Sequence, residues 1–217
     1  MKTKVKRAYS SELRQSQARA TRRAVVAAAA ELFVRNGYVA TSIDEIAEEA
    51  GVGRATVFTV GGKAELLKLS QDFAIGGDDE DVRLVDRPKS REVRASRDAR
   101  TYFRRYAALA SEIQPRVAPI HEVIRAAAHA DPDVAVLWTN VNAARRRGAD
   151  TIVADIAALA RIRKGLDRTR AADLVWLLTD PVQYHLLVHA SGWSVKQYED
   201  WLAGALESEL LGTKRGG

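Results

Sequence analysis

The stretch that decides the fold is Ser42–Val60, SIDEIAEEAGVGRATVFTV. Ser42 and Glu45 have the spacing of a capping box, in which the serine oxygen accepts one free backbone N–H and the glutamate accepts another, so a helix begins there. Gly51 tolerates the left-handed backbone that ends this helix, and a short second helix is predicted over about 54–60. The segment therefore has the order and length of a helix-turn-helix. Any tight corner between two helices needs the same parts, so the motif alone leaves DNA binding open.

Helical segments flank this motif on both sides. Apolar residues recur at intervals of three and four, and no stretch alternates with a period of two, which predicts an all-α fold. Gly37 ends a first helix that begins at about Thr21, and a fourth helix starts at Lys63. A polar linker over 76–90 precedes longer helices. These are predicted at about 92–114, ended by Pro115, and then at 119–130, 131–162, 169–190 (kinked at Pro181) and 194–211.

The composition is that of a chain with a packed core. Its 217 residues are 47% hydrophobic and 29% charged, which favours one domain plus a small appendage over a disordered or fibrous chain. The absence of cysteine from the sequence excludes disulfides, thiolate zinc sites and cysteine nucleophiles. The longest aliphatic run, Ala24–Ala30, is far shorter than the roughly 20 residues of a membrane span. We therefore expect no membrane insertion and a cytoplasmic location.

The positive charge is concentrated at the start of the chain. The first 25 residues carry a net charge of +7, and the remainder carries −1. Residues 1–20 have no apolar face, so they are predicted to form a basic, flexible or frayed arm. Such a localised charge favours a polyanionic partner, either nucleic acid or an anionic membrane surface. The arm lacks the large apolar residues that insertion into a membrane would need.

The residues around the motif carry a resemblance to a known family. TRRAVVAAAAELFVRNGYVATSIDEIAEEAGVGRATVF, followed by GGKAELL, resembles the N-terminal domain of the TetR family of transcriptional regulators over Thr21 to about Leu67. The resemblance implies a helix-turn-helix DNA-binding domain in residues 21–62 and a larger helical ligand-binding and dimerisation domain in residues 63–217. It further implies a homodimeric repressor, without a cofactor or enzymatic activity, that a small organic effector releases from a pseudopalindromic operator in double-stranded DNA.

The chain departs from the family pattern at the recognition helix, the second helix of the motif. Gly53 stands where a polar cap is usual, and Phe58 replaces the usual tyrosine, so that its ring can pack against a sugar or a thymine methyl but donates no hydroxyl. One residue is missing between Phe58 and Lys63, with Val60 where a histidine is common. We therefore expect a rebuilt junction between the third and fourth helices.

Groove chemistry assigns roles within this surface. Arg54 can donate two parallel hydrogen bonds to guanine O6 and N7, and the small Ala55 and the Thr56 methyl can accept a thymine methyl. Helix N-termini and ammonium groups suit phosphates, and the arm would add affinity that depends on salt. The alternative for Arg54 is a solvated surface arginine. The predicted DNA contacts are Ser42, Arg54, Ala55, Thr56, Phe58, Thr59 and Lys63.

The second half offers candidates for an effector pocket and a dimer interface. Aromatic and polar side chains suited to a mostly apolar pocket are Tyr102, Phe103, Tyr106, His121, Trp138, Asn142, Trp176 and Tyr184. Apolar residues of the last two predicted helices suited to a dimer interface are Leu174, Leu178, Leu187, Trp201, Leu202 and Leu206. Each member of either set can equally belong to an intramolecular core.

Other functions have weaker support in the sequence. His185 and His189 have a spacing that can chelate zinc, but they lack the glutamate of the HExxH motif and are interpreted as core or interface residues, so no metal is expected. The chain contains no complete dinucleotide loop, phosphate-binding loop or GxSxG motif, which argues against an enzyme. The main rival is a helical adaptor, or a protein that binds anionic surfaces, without sequence-specific DNA recognition.

Overall fold

The computed structural model describes the backbone of residues 2–80 and 82–211 and the side chains from residue 14 onward. Over these residues the chain forms ten α-helices and no strand, which confirms the all-α prediction. The helices are α1 (Lys2–Asn36), α2 (Ile43–Glu49), α3 (Arg54–Val60), α4 (Lys63–Gly76), α5 (Pro88–Arg94), α6 (Ala99–Ala127), α7 (Pro132–Leu159), α8 (Arg168–Leu178), α9 (Pro181–Tyr184) and α10 (Val195–Leu211). A 3₁₀ turn (Leu84–Asp86) precedes α5, and a π-helical turn (His185–Ala190) follows α9.

The helix-turn-helix forms as the capping residues predict. Ser42 Oγ accepts a hydrogen bond from the Glu45 backbone N–H, and the Glu45 carboxylate accepts one from the Ser42 backbone N–H. Gly51 has a φ of +66°, a left-handed conformation that a side chain would strain. Ile46 on α2 and Val57 on α3 are fully buried, which fixes the two helices against α1 and α4.

The basic arm is the first difference from the sequence prediction. The described backbone is already helical at Lys2, so α1 begins well before Thr21. Residues 2–36 contain neither proline nor glycine and are rich in alanine, arginine and lysine, which favour helix even without a buried face. Arg19 and Arg23 also lie within ion-pair distance of Asp79 in the α4–α5 linker, which ties this part of α1 to the rest of the chain.

The prediction that Pro115 ends a helix is wrong. Helix α6 continues through Pro115 and Pro119 to Ala127, although each proline removes one backbone donor. Buried residues on both sides of the prolines hold the helix by tertiary packing, and Arg116 donates hydrogen bonds to the Glu112 and Ala74 carbonyl oxygens at 3.0 Å each. Packing therefore overrides the local preference at this position.

The predicted helix over 169–190 is interrupted, not merely kinked. Helix α8 ends at Leu178, and Asp180 caps a new short helix by accepting a hydrogen bond from the Val182 backbone N–H at 2.9 Å. Pro181 then occupies the first helical position, where its missing N–H costs nothing. The Asp-Pro pair is a start signal here, as it also is at Asp131-Pro132 before α7.

Two hydrophobic clusters share two helices. The first cluster packs α1–α4 against the second half of α6 and the first turns of α7, through residues such as Phe33, Ile124 and Val134. The second cluster packs α5–α10 around the first half of α6. Helices α6 and α7 therefore connect both clusters, and Tyr38 adds a hydrogen bond of 2.8 Å to Asp131 at the start of α7. Within the described ranges, no helix is long and apolar enough to cross a membrane.

Candidate DNA-binding surface and effector site

Helix α3 presents one face to solvent and anchors the other. Val57 is fully buried, whereas Arg54, Ala55 and Thr59 are exposed and Phe58 is 52% exposed. Phe58 thus leaves about half of its ring surface uncovered beside the exposed Arg54, where another molecule can contact it. The exposed face is the one to which the sequence assigned base contacts, and Thr56 lies at its edge, half-buried.

Arg54 is held in a defined orientation by a residue that the sequence analysis did not identify. Its Nη1 contacts both carboxylate oxygens of Asp44 on α2, at 2.6 and 2.8 Å, and its Cζ lies 5.5 Å from the centre of the Phe58 ring. Because both hydrogen bonds use Nη1, the Nη2 edge of the guanidinium stays available to another acceptor. The pair is exposed, so it directs the side chain without adding much to stability.

The phosphate candidates Ser42 and Lys63 both interact with Glu45. The Ser42 hydroxyl donates to the Glu45 carboxylate at 2.8 Å, and Lys63 interacts electrostatically with the same carboxylate. Lys63 Nζ donates to the Val39 carbonyl oxygen at 3.2 Å and lies 4.4 Å from the centre of the Tyr38 ring. Partial burial lowers the pKa of this lysine. The ammonium group is therefore held against the turn between α1 and α2.

The shortened junction between α3 and α4 consists of Gly61 and Gly62 alone. Gly61 has an extended backbone, and a Cβ added there would lie 2.7 Å from Glu65 Cγ. Glycine is therefore favoured at position 61 because Glu65 lies close to its backbone, and not because the backbone is left-handed. In the same region the Thr59 hydroxyl donates to the Thr56 carbonyl oxygen at 2.6 Å, which directs Thr59 back along its own helix.

Arg19 of the arm and Arg23, just after the arm, are paired with an acidic residue. Arg19 and Arg23 approach Asp79 at 3.3 and 3.7 Å, and the Asp79 side chain is only 9% exposed. The arginines themselves lower the pKa of Asp79 through a hydrogen bond and their charge. The opposite charges of the arm and of the acidic stretch 78–81 were the signal for this pairing in the sequence, although residue 81 lies outside the described residues.

The effector candidates divide into a converging group and two residues that stand apart. Tyr102 donates a hydrogen bond to Asp155 at 3.0 Å, and Phe103 is fully buried beside it. Burial next to Asp155 raises the pKa of Tyr102. The other candidates surround an ion pair between Arg145 and Asp180. The converging group is Tyr106, His121, Trp138, Asn142, Trp176 and Tyr184.

The ion pair at the centre of this group was not identified from the sequence. Arg145 Nη1 approaches Asp180 Oδ2 at 2.8 Å, and both side chains are more than four-fifths buried. Arg145 also donates to Asn142 Oδ1 at 3.2 Å and to the Trp176 carbonyl oxygen at 2.8 Å, and its guanidinium lies over the Trp176 ring. Arg145 stands in a basic run with Arg146 and Arg147, and its burial results from the packing of α7 against α8.

Several polar atoms next to this ion pair are buried without a hydrogen-bond partner among the described residues. They are both ring nitrogens of His121, Nε1 of Trp176 and the hydroxyl of Tyr198. His121 is 2% exposed, and burial lowers its pKa to about 4, so its ring is neutral at pH 7. The Tyr198 ring is fully buried against Tyr184, with ring centres 5.0 Å apart. Unpaired buried polar groups are rare, which marks this cluster as a candidate ligand site.

The dimer candidates differ in their exposure. Leu202 and Leu206 are fully buried in the core of the single chain, so they have no area left for a partner. The remaining candidates are half-buried: Leu174, Leu178, Leu187 and Trp201. Leu177 and Leu186, which the sequence places on the same predicted helix as Leu174, Leu178 and Leu187, are 53% and 49% exposed. An apolar face thus remains on α8 and the π-helical turn.

His185 and His189 pack against each other with tilted rings, whose centres are 5.7 Å apart. Across the residues with described positions, no group of three or more His, Asp or Glu side chains is arranged to hold a metal ion. His189 instead packs edge-on against Tyr184.

An exposed recognition helix on a capped helix-turn-helix, joined to an all-α body, defines the class of DNA-binding regulators of helix-turn-helix type. Residues 25–68 match the family model described as bacterial regulatory proteins, tetR family. This match confirms the resemblance to the N-terminal domain of that family noted over Thr21 to Leu67. No curated protein matches this chain.

Solved structures share the fold over nearly the whole chain. A protein named as a TetR-family transcriptional regulator from Syntrophomonas wolfei is 15% identical, with a TM-score of 0.68 over 91% of this chain and 98% of that one. A protein named as a transcriptional regulator from Saccharomonospora viridis, solved in complex with choline, is 19% identical, with a TM-score of 0.66 over 88% and 97%. NalD, the secondary repressor of the MexAB-OprM multidrug efflux pump in Pseudomonas aeruginosa, is 18% identical, with a TM-score of 0.60 over 89% and 98%.

Proposed function

We propose that this protein is a cytoplasmic, homodimeric repressor that binds a pseudopalindromic DNA operator through α3 and is released from it by a small organic effector. The observation that carries the proposal is the exposed face of α3, on which Arg54 and Phe58 point outward while Val57 anchors the helix. A helix held in this way can enter the major groove without rearrangement of the domain. The proposal includes no catalytic activity.

On DNA, Arg54 contacts a guanine, and the residues around Arg54 fix the position of the protein on the duplex. The Nη2 edge left free by Asp44 donates to guanine O6 or N7, while Phe58 packs against a sugar or a thymine methyl. Lys63 and the N-terminus of α2 at Ser42 hold phosphates on the flanking backbone. Ala55, Thr56 and Thr59 complete the contact surface.

The dimer follows from the need to read two half-sites. A single short helix covers few base pairs, and twofold symmetry places two copies of α3 about 34 Å apart on one side of the duplex. The apolar face of α8 and the π-helical turn, with Leu177 and Leu186 exposed, supports a partner at this position. The half-buried Leu174, Leu178, Leu187 and Trp201 border it.

Helices α6 and α7 connect the proposed effector site to the DNA-binding domain. His121 on α6 lies in the effector group, and Ile120 and Ile124 on the same helix pack into the N-terminal core. On α7, Trp138 contacts the His121 ring, and Asp131 accepts the hydrogen bond from Tyr38. A ligand that shifts either helix therefore changes the position of the DNA-binding domain, provided that it binds the two states with different affinity.

The experiment is a selection of random duplexes by the purified protein, followed by binding of the selected operator to Arg54→Ala. We expect a dyad-symmetric site, and a loss of affinity of about 1–3 kcal/mol with relaxed preference at one guanine per half-site. Arg161→Ala, which removes an exposed arginine after α7, is the matched control and leaves binding unchanged. Binding without sequence preference would instead favour the adaptor or anionic-surface protein.

A further inference from the structure

The polar cluster around Arg145 and Asp180 has a chemistry that selects among effector classes. Three helices contribute unpaired groups to it: α6 through His121, α8 through Trp176 and α10 through Tyr198. His121 and Tyr198 both interact electrostatically with Asp180, and the Trp176 ring lies 5.1 Å from the Arg145 guanidinium. The three unpaired groups therefore surround the same ion pair.

Hydrogen-bond capacity is the first constraint on the ligand. Trp176 Nε1 can only donate, the Tyr198 hydroxyl donates readily, and the neutral His121 ring has one N–H donor and one acceptor nitrogen. Donors thus outnumber obligatory acceptors among the unpaired groups. A ligand that satisfies them presents acceptor oxygens.

Charge is the second constraint. The positive charge of Arg145 and the negative charge of Asp180 neutralise each other at 2.8 Å, and His121 is uncharged. A carboxylate bound here would add a negative charge beside Asp180, and a quaternary ammonium would add a positive charge beside Arg145. Either ligand would be repelled by the like-charged member of the pair and would compete for the other member, which is unfavourable at a buried site.

The walls of the site are the third constraint. The rings of Tyr106, Trp176 and Tyr198 interact with the ion pair. Trp138 packs against His121, and Tyr184 packs against Tyr198. Flat aromatic walls favour a ligand with an apolar body, and a few polar groups then fix its orientation.

We infer that the effector is an uncharged, largely apolar molecule with a carbonyl or comparable acceptor oxygen, which binds between α6, α8 and α10 and accepts hydrogen bonds from Trp176 and Tyr198. This inference rests on the proposed function for the location of the effector and adds the chemical class. The class differs from choline, the cation bound by the relative from Saccharomonospora viridis.

Three probes with the same phenethyl body test the inference by calorimetric titration of the full chain without DNA. They are 4-phenyl-2-butanone, which is an uncharged ketone, 3-phenylpropionate, which is a carboxylate, and phenethyltrimethylammonium, which is a cation. We expect the ketone to bind at least about tenfold more tightly than either charged probe, because only the ketone leaves the ion pair intact. Equal or tighter binding of a charged probe, or no binding of the ketone, overturns the inference.

Matched tryptophan variants locate the bound ketone. Trp176→Phe keeps a ring and removes the donor, so we expect ketone affinity to fall about tenfold, the worth of one hydrogen bond to a buried donor. Trp193→Phe, at a half-buried tryptophan outside the cluster, leaves affinity unchanged. Equal affinity of both variants overturns the placement. This titration contains no operator, so it tests the ligand class separately from regulation. If the ketone binds but leaves operator affinity unaltered, the proposed regulation is contradicted and the ligand class is not.

Discussion

A single carboxylate on α2 sets the direction of the side chain that is proposed to read bases. Asp44 accepts hydrogen bonds from Arg54 Nη1 and thereby orients the guanidinium. Asp44 also places a negative charge near the DNA. These two effects have opposite consequences for operator binding. Orientation sharpens base preference, whereas the charge repels phosphates and weakens binding to every sequence.

Asp44→Asn separates the two effects. We predict that preference for the guanine read by Arg54 falls by about 1 kcal/mol, while affinity for unrelated duplex rises, because one negative charge is lost. Glu48→Gln removes an exposed charge from the same helix and is expected to raise affinity without altering preference. Competition binding with the selected operator and a guanine-substituted duplex measures both quantities. Identical behaviour of the two variants would show that Asp44 acts only through its charge.

The buried His121 makes stability depend on pH. Its pKa is lowered from 6.5 to about 4 by burial, with Asp180 and Glu122 opposing the shift and Arg145 and Arg125 adding to it. The unfolded chain therefore binds a proton between these values that the folded chain does not, and unfolding becomes easier as the pH falls from about 6.5 to 4. Above about pH 6.5 the ring is neutral in both the folded and the unfolded chain, so it causes no such loss of stability.

We predict that His121→Asn flattens this part of the pH profile by an amount on the order of 2–3 kcal/mol, whatever its effect on stability at pH 7. Urea unfolding at pH 7, 5.5 and 4.5 gives the free energy of unfolding at each pH. His129→Asn changes an exposed histidine on the turn after α6 and serves as the control. A parallel pH dependence in wild type and His121→Asn would contradict the prediction.

At the scale of elements, the first half of α1 depends on a contact made far along the chain. The described side chains there are polar and exposed, so local propensity alone leaves the helix marginal. Asp79 supplies a fixed partner for Arg19 and Arg23, which precede by six and two residues the start of the buried core at Val25. The arginines are more than half exposed, so the contact holds the helix in place without adding much to global stability.

Removal of this contact should loosen the start of α1. We predict that Asp79→Asn raises the rate of trypsin cleavage after Arg19 and Arg23 several-fold, because the helix opens locally more often. The global unfolding midpoint should change little. Asp72→Asn, which breaks an exposed pair with Lys68 on α4, is the comparison. Cleavage sites follow from mass spectrometry of the fragments. Unchanged cleavage after both arginines would mean that Asp79 does not hold the helix.

The elements that the sequence predicted best are those with local signals. Ser42, Glu45 and Gly51 fix the ends of α2 by hydrogen bonds and backbone geometry that involve only their neighbours. The course of α6 through Pro115 depends instead on packing between distant helices, which no local pattern encodes. The same division applies to the sites. The recognition surface lies within one contiguous motif, whereas Arg145 and Asp180 meet from α7 and the α8–α9 junction.

At the scale of the whole molecule, the chain leaves an apolar face that a second copy would cover. Leu177 and Leu186 are exposed on α8 and the π-helical turn, while the adjacent α10 turns Leu202 and Leu206 inward. A stable dimer interface usually buries about 800 Å² on each partner around a few apolar anchors. We therefore expect dimerisation to depend on the exposed Leu177 and Leu186. Substitution of Leu202 or Leu206 should affect the dimer only through the folding of the single chain.

We predict that Leu177→Glu converts the protein to a monomer at micromolar concentration, because an unpaired carboxylate in the centre of the interface would be buried without a partner. Sedimentation equilibrium measures the mass, and operator affinity should fall steeply, since each monomer then reads a single half-site. Val136→Glu makes the same change at an apolar residue of α7 that is 60% exposed, and it should leave both quantities unaltered. A wild-type protein that keeps the mass of one chain at all concentrations would remove the dimer, and with it the reading of paired half-sites.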